Sequence, residues 1–256
     1  MNKYIKALVK VTSKKEYAED FRNGNLWMNE LRFFRNCEDS EMGDQKEARS
    51  GTSKYGYTTV NYFELSDLCR PVFCLYGVYD TKHGNTEFVS LPLKMKAFGK
   101  YAVIVTDVEK FLERIQSKDL ECGPVKYEKM DISNKDYKTP YKPCFHKDDY
   151  FRYQSEFRLL HKSLLLTGNS EEKYEGWTTL DETHFLCSID GGLSDITSEV
   201  IDVDKLLNPN KFIVHLSVNW DKLKYKDFVQ YENPIIKNRN KKVFNDADEY
   251  NVKKIR

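Results

Sequence analysis

The chain has 256 residues, enough to bury one sizeable core. A 40% hydrophobic and 14% aromatic content excludes a wholly disordered chain, and Lys+Arg 41 against Asp+Glu 40, net +1, excludes a global field that would draw it to nucleic acid or an anionic membrane. No apolar run of about 20 residues is present, and Met1-Asn2-Lys3-Tyr4-Ile5-Lys6 leads into a strand pattern rather than a signal peptide, so the expectation is a cytoplasmic protein with no membrane partner.

In chain order, Ile5 to Val11 alternates as a half-buried strand. Ser13-Lys14-Lys15-Glu16 has the form of a capping box, with Tyr17, Ala18 and Phe21 at helical spacing before Gly24. Asn25 to Phe34 reads as the next strand region, followed by a charged loop from Asn36 to Ser53 with few large apolar residues, expected to be mobile and to help cover a cleft. Pro71 to Tyr79 and Lys100 to Val105 read as strands. Thr106-Asp107-Val108-Glu109 opens a helix striped by Val108, Phe111, Leu112 and Ile115. Pro124 to Met130, Phe157 to Leu166 and Phe212 to Val218 supply further strands, and Gly191-Gly192 marks a turn before a short helix near Ser194. Irregular alternation of short strands with few helices predicts an α+β fold on a central, mainly antiparallel or split sheet, with a single domain over 1–237 and a charged tail over 238–256.

The common catalytic signatures are missing: no phosphate-cradling Gly-x-x-x-x-Gly-Lys, no Gly-x-Gly-x-x-Gly, no Gly-x-Ser-x-Gly and no His-Glu-x-x-His. Cys37, Cys69, Cys74, Cys122, Cys144 and Cys187 are scattered without zinc spacing and read as free thiols, and the five histidines form no close pair, so no resident metal is expected. What stands out is Tyr153-Gln154-Ser155-Glu156-Phe157-Arg158-Leu159-Leu160, which puts Glu156 at the root of an apolar strand. A carboxylate there costs free energy unless it is paired or used. Either Glu156 pairs with Arg158, since residues i and i+2 of a strand point the same way, or it serves a site.

Several pieces together carry a resemblance: Gly24 to Met28 as Gly-x-Leu-x-x, an acidic loop with Asp44 and Glu47, Val125-Lys126-Tyr127, and Glu156-Phe157-Arg158. Over residues 5–200 this order resembles a family of bacterial and phage-associated proteins of poorly defined function. More distantly it resembles the DarT-type ADP-ribosyltransferases, with Thr12 ending the first strand and Glu156-Phe157 opening the catalytic one; Lys10 and Lys14 stand where that resemblance would place histidines. The resemblance implies an ADP-ribosyltransferase-like fold and a toxin or antiviral-defence effector that takes NAD as substrate. Its acceptor would be a nucleic acid, DNA among them, or a protein, and a neutralising partner could control it. Glu156 would be the catalytic carboxylate. Lys10, Arg32 or Arg35 would meet the pyrophosphate, Phe33, Phe34 or Tyr153 would stack on nicotinamide or a base, and Thr12 and Gln154 would complete the NAD site, with Asp44, Glu47 and Arg158 near the substrate. Two alternatives stay open: a non-catalytic recognition or sensor module in phage–host conflict, and a Mg²⁺-dependent nuclease using Asp44, Glu47 and Glu156.

Overall fold

The computed structural model describes residues 3–37, 43–55, 57–80, 88–129, 136–162, 177–179, 184–208, 210 and 212–230. The tail over 238–256, the domain boundary before it and the end of the strand expected to reach Leu166 lie outside these. The first elements are β1 (Tyr4–Thr12), α1 (Lys15–Arg22), β2 (Asn25–Glu30), α2 (Leu31–Asn36), β3 (Arg49–Tyr55), β4 (Thr58–Phe63), α3 (Leu65–Leu68) and β5 (Pro71–Asp80). After them come β6 (Phe88–Val89), β7 (Tyr101–Val105), α4 (Val108–Ile115), β8 (Leu120–Pro124), β9 (Lys126–Glu128), β10 (Asp136–Lys138), β11 (His146–Asp148) and β12 (Glu156–His161). The described chain finishes through β13 (Trp177–Thr179), β14 (His184–Ser188), β15 (Ile201–Asp202) and β16 (Phe212–Ile213).

The architecture is α+β: nine described strands form a central sheet in the order β13-β14-β2-β5-β1-β7-β15, with β12 pairing β5 and β8, and every one of these pairings is antiparallel. One face of it carries Leu8, Phe73, Leu75, Phe157 and Leu159 against α1 (Ala18, Phe21) and α4 (Val108, Phe111, Ile115). The other face carries two apolar clusters, one around Val9, Ala102, Ile104 and Met95, the second around Leu31, Val72, Phe145 and Leu160.

The sheet is split at β5. Tyr76 pairs with both Val9 and Glu156, and Val72 pairs with both Asn29 and Leu160. A strand has only two edges, so β12 takes one, while β1 and β2 share the other in succession. Between them Phe73, Cys74 and Leu75 have ladder partners in β12 alone.

Local departures from the sequence reading have physical causes. The first helix starts one residue later than the Ser13 box implies: Lys14 is the N-cap and, having only donors, makes no side-chain cap bond, while the Thr12 hydroxyl donates to the Lys14 carbonyl (2.9 Å). For α4 the cap is Asp107, which accepts from the Lys110 amide (3.1 Å), while the Thr106 hydroxyl donates to the Ile196 carbonyl (3.0 Å). Leu31 to Phe34 is helical rather than strand, with β2 ending at Glu30. No helix follows Gly191-Gly192, whose positive φ angles of 77° and 68° make a turn only. The strand expected over Phe212 to Val218 shortens to Phe212–Ile213, and the one from Pro124 divides at Val125. Residues 43–53 are not a loose cover: Asp44, Glu47, Ala48 and Arg49 are buried, and β3 begins at Arg49.

Candidate active site at the split in the sheet

A cavity of about 220 Å³ lies at the split. Its walls include Val9, Lys10 and Val11 from β1, Trp27 and Asn29 from β2, Phe34 from α2, and Val72 to Tyr76 from β5, with Met95, Phe98, Glu47, Lys147, Gln154, Glu156 and Arg158 closing it.

The root of β12 is built to aim Glu156. Ser155 precedes it at φ 44°, in the left-handed region that a non-glycine residue avoids. Hydrogen bonds hold it in that conformation: the Ser155 carbonyl accepts from the Gly77 amide (2.7 Å), and its hydroxyl donates to the Gly77 carbonyl (2.9 Å). The Glu156 amide then donates to the Tyr127 hydroxyl (2.8 Å). Alternation along β12 sends Phe157 and Leu159 into the core and Glu156 and Arg158 toward the cavity.

Glu156 is not alone there. Its Oε1 accepts from Lys147 Nζ (2.7 Å) and its Oε2 from Arg158 Nε (2.8 Å). Arg158 Nη1 also donates to Glu47 Oε1 (2.8 Å) and to the Cys144 carbonyl (2.6 Å). Lys147 Nζ donates to Gln154 Oε1 (2.8 Å) and stands 3.5 Å from Glu47 Oε2. Two cations and two carboxylates thus close a neutral, buried ring, with Glu47 and Arg158 at 0% and 1% exposure. Burial works to raise the Glu156 pKa, but Arg158 and Lys147 overcome it and hold the carboxyl down at about 2. For Lys147 the burial effect is likewise outweighed, by Glu156 and Glu47, and its pKa is raised.

Lys10 is placed differently. Its ammonium donates to the Cys74 carbonyl (3.1 Å), a backbone group in the stretch of β5 that the split leaves without a ladder partner on this edge, and it stands 3.9 Å over the Phe73 ring. No described carboxylate lies within ion-pair distance of it. Burial lowers its pKa, and Cys74 and then Glu156 offset this only in part. The Cys74 thiol, pushed up to about 12 by burial and then by Glu156, is no nucleophile at neutral pH.

The residues singled out in the sequence therefore divide. Lys10, Phe34, Glu47, Gln154, Glu156 and Arg158 meet in one cavity. Asp44 stands behind Glu47, its Oδ1 accepting from the Lys46 amide (2.8 Å); burial first and Glu47 second push its pKa up to about 6. Thr12, bonded to Lys14, is absent from the cavity wall; Phe33 is 38% exposed against Phe34 and His184; Arg35 lies 3.7 Å over the Phe63 ring; Tyr153 packs beside the Val9 cluster under Lys94 (4.6 Å). Arg32 is held by Glu30. For a Mg²⁺ site the arrangement is a poor fit, since Lys147 and Arg158 occupy the ground between Glu47 and Glu156, and the described residues contain no group of three His, Cys, Asp or Glu positioned to hold a metal.

Lys147, Trp27, Asn29 and Cys74 were not legible as site residues. Lys147 sits on a three-residue strand with no alternation long enough to read, and the one signal for it was the apolar frame of Phe145 and Phe151 around His146-Lys147-Asp148. Comparison with protein-family models, with curated proteins and with solved structures finds no match for the chain. Fold and site define an antiparallel α+β protein with a charged cavity at a split in its sheet.

Proposed function

We propose that the cavity receives the nicotinamide-ribose end of NAD and that the protein is an ADP-ribosyltransferase-like effector acting on a nucleic acid or protein. The observation that carries this reading is the presence, in one aromatic-walled cavity, of an ionised carboxylate, Glu156, and an ammonium that contacts no described carboxylate, Lys10. Transfer breaks the bond between the ribose carbon and the nicotinamide nitrogen, nicotinamide leaving with the electron pair, and the acceptor bonds to that carbon as it loses a proton. Positive charge develops on the ribose, and a fixed carboxylate stabilises it. Each Glu156 oxygen accepts one described bond and keeps a lone pair for a ribose hydroxyl. Lys10 supplies the phosphate contact, and Phe34 and Trp27 supply faces for a flat ring. A 220 Å³ space suits one end of a dinucleotide rather than the whole.

A second reading, ligand recognition without turnover, is favoured by the hold that Lys147 and Arg158 already have on both Glu156 oxygens. Incubation with labelled NAD and separate pools of DNA, RNA and protein tests the first, with calorimetric titration of NAD alongside. Label on one pool supports transfer. NAD binding without label moves the assignment to recognition, and absence of both removes NAD from either.

A further inference from the structure

β4 is the outer strand of a second sheet, β10-β3-β4, and among the described residues it pairs only with β3. Its sequence, Thr58-Thr59-Val60-Asn61-Tyr62-Phe63, is β-branched or aromatic at all but Asn61 and carries no charge, proline or glycine. Thr58 to Asn61 are exposed, as are Tyr55 (65%) and Tyr57 at the end of the hairpin. Free edges are ordinarily blunted by lysine, proline or a bulge, and the one register shift here is at Arg49/Gly51, on β3 at the far end.

We propose that β4 pairs antiparallel with β4 of a second copy, about a two-fold axis through Val60, to give a homodimer with one continuous six-stranded sheet. The register follows from the hairpin. Tyr55 pairs with Thr58 across a two-residue connection, so this closing pair exchanges both backbone bonds with its partner. Alternation then makes Ser53–Val60 the next bonded pair and turns the backbone N–H and C=O of Thr59 and Asn61 away from β3. Centring on Val60 sets Thr59 against the partner's Asn61 and Asn61 against the partner's Thr59, satisfying both residues on both copies, about four backbone bonds in all.

The side chains agree with a copy of this chain as the occupant. Self-pairing brings no like charges together because β4 has none. Val60 meets its own copy at the axis, Thr58 faces the partner's Tyr62, and Tyr57, with no cover in the monomer, comes beside the partner's Phe63. An isologous contact of this kind closes at two copies and builds no fibre.

The test is sedimentation velocity of the full chain over a concentration series, with three variants. Thr59→Pro removes an N–H that bonds nothing within the hairpin, so the monomer melts as wild type while the dimer loses its bonds. Val60→Lys places two ammoniums at the axis. Val60→Cys puts two thiols at a non-bonded pair, about 4.5 Å between Cα atoms, within disulfide reach. Expected are a concentration-dependent wild-type dimer, monomers for Thr59→Pro and Val60→Lys, and a covalent dimer for Val60→Cys under mild oxidation that leaves wild type uncross-linked. A wild-type monomer throughout, wild-type dimerisation by Thr59→Pro or Val60→Lys, or no cross-link in Val60→Cys overturns the proposal; if the first two variants do not fold, the cross-link decides.

Discussion

Lys10, on β1 beside β5, and Lys147, on β11 of the separate β9–β11 pair, line the same cavity, and their surroundings push their pKa values in opposite directions. Lys147 has Glu156, Glu47 and Gln154 as acceptors; Lys10 has a carbonyl and a ring. The difference teaches that burial of a charge does not mark function by itself. What marks it is a buried charge that no described carboxylate contacts, because a ligand can then supply the contact.

The largest expected effect that would break this comparison is on Lys147. Lys147→Met leaves the buried Glu156 and Glu47 short of a cation and should cost about 3–5 kcal/mol, read in a denaturant or thermal melt. A melt unchanged from wild type would show that the ring is not what holds this wall. Glu156→Gln should cost about 3 kcal/mol and abolish label transfer, so its activity has to be read well below its own melting temperature. Full transfer by a folded Glu156→Gln protein would remove the carboxylate from the chemistry.

Acid separates the carboxylates behind the same wall. Glu156 has a folded pKa depressed to about 2, so its contribution is present above its ordinary value of 4.5 and lost as pH falls toward 2. Asp44 is raised to about 6 from 3.8, so what it contributes is full below 3.8 and lost as pH rises through 6. Asp44→Asn keeps an acceptor for the Lys46 amide and removes the buried charge; it should stabilise the protein by about 2 kcal/mol at pH 7 and by almost nothing at pH 3.5, measured as a difference in melts. Equal effects at both pH values would contradict this. Smallest in stability and sharpest for function is Lys10→Met, which should move the melt by less than about 1 kcal/mol yet weaken NAD binding by at least about tenfold in a calorimetric titration. Undiminished binding would place the phosphate elsewhere.

Much of the sheet was readable from local pattern. The strands around Ile5–Val11, Pro71–Tyr79 and Lys100–Val105 and the stripe of α4 stand where alternation and helical spacing put them, because each has a core face set by its own residues. Glu156-x-Arg158 was readable both as a pair and as a site, and the geometry makes it a pair that lines a cavity. Residues 43–53 were misread because their charges have partners far along the chain: Glu47 meets Arg158, 111 positions away, and composition carries no trace of that. Phe33 and Phe34 follow β2 without a break, so the turn from strand to helix at Glu30 has no local signal. Lys147 needed the fold before it could be seen.

The shared strand β5 has a consequence for how the chain reaches its native state. Its two edges are completed by β1, far upstream, and by β12, where Tyr76 waits for Glu156, 80 positions later. Pairings at such separation slow folding, since the loop must close before the contacts reward it. During synthesis β5 therefore stands with one edge bare until residues 156–161 have left the ribosome, and the cavity takes shape in that same late step. A chain stopped short of β12 would hold an unfinished sheet and no site.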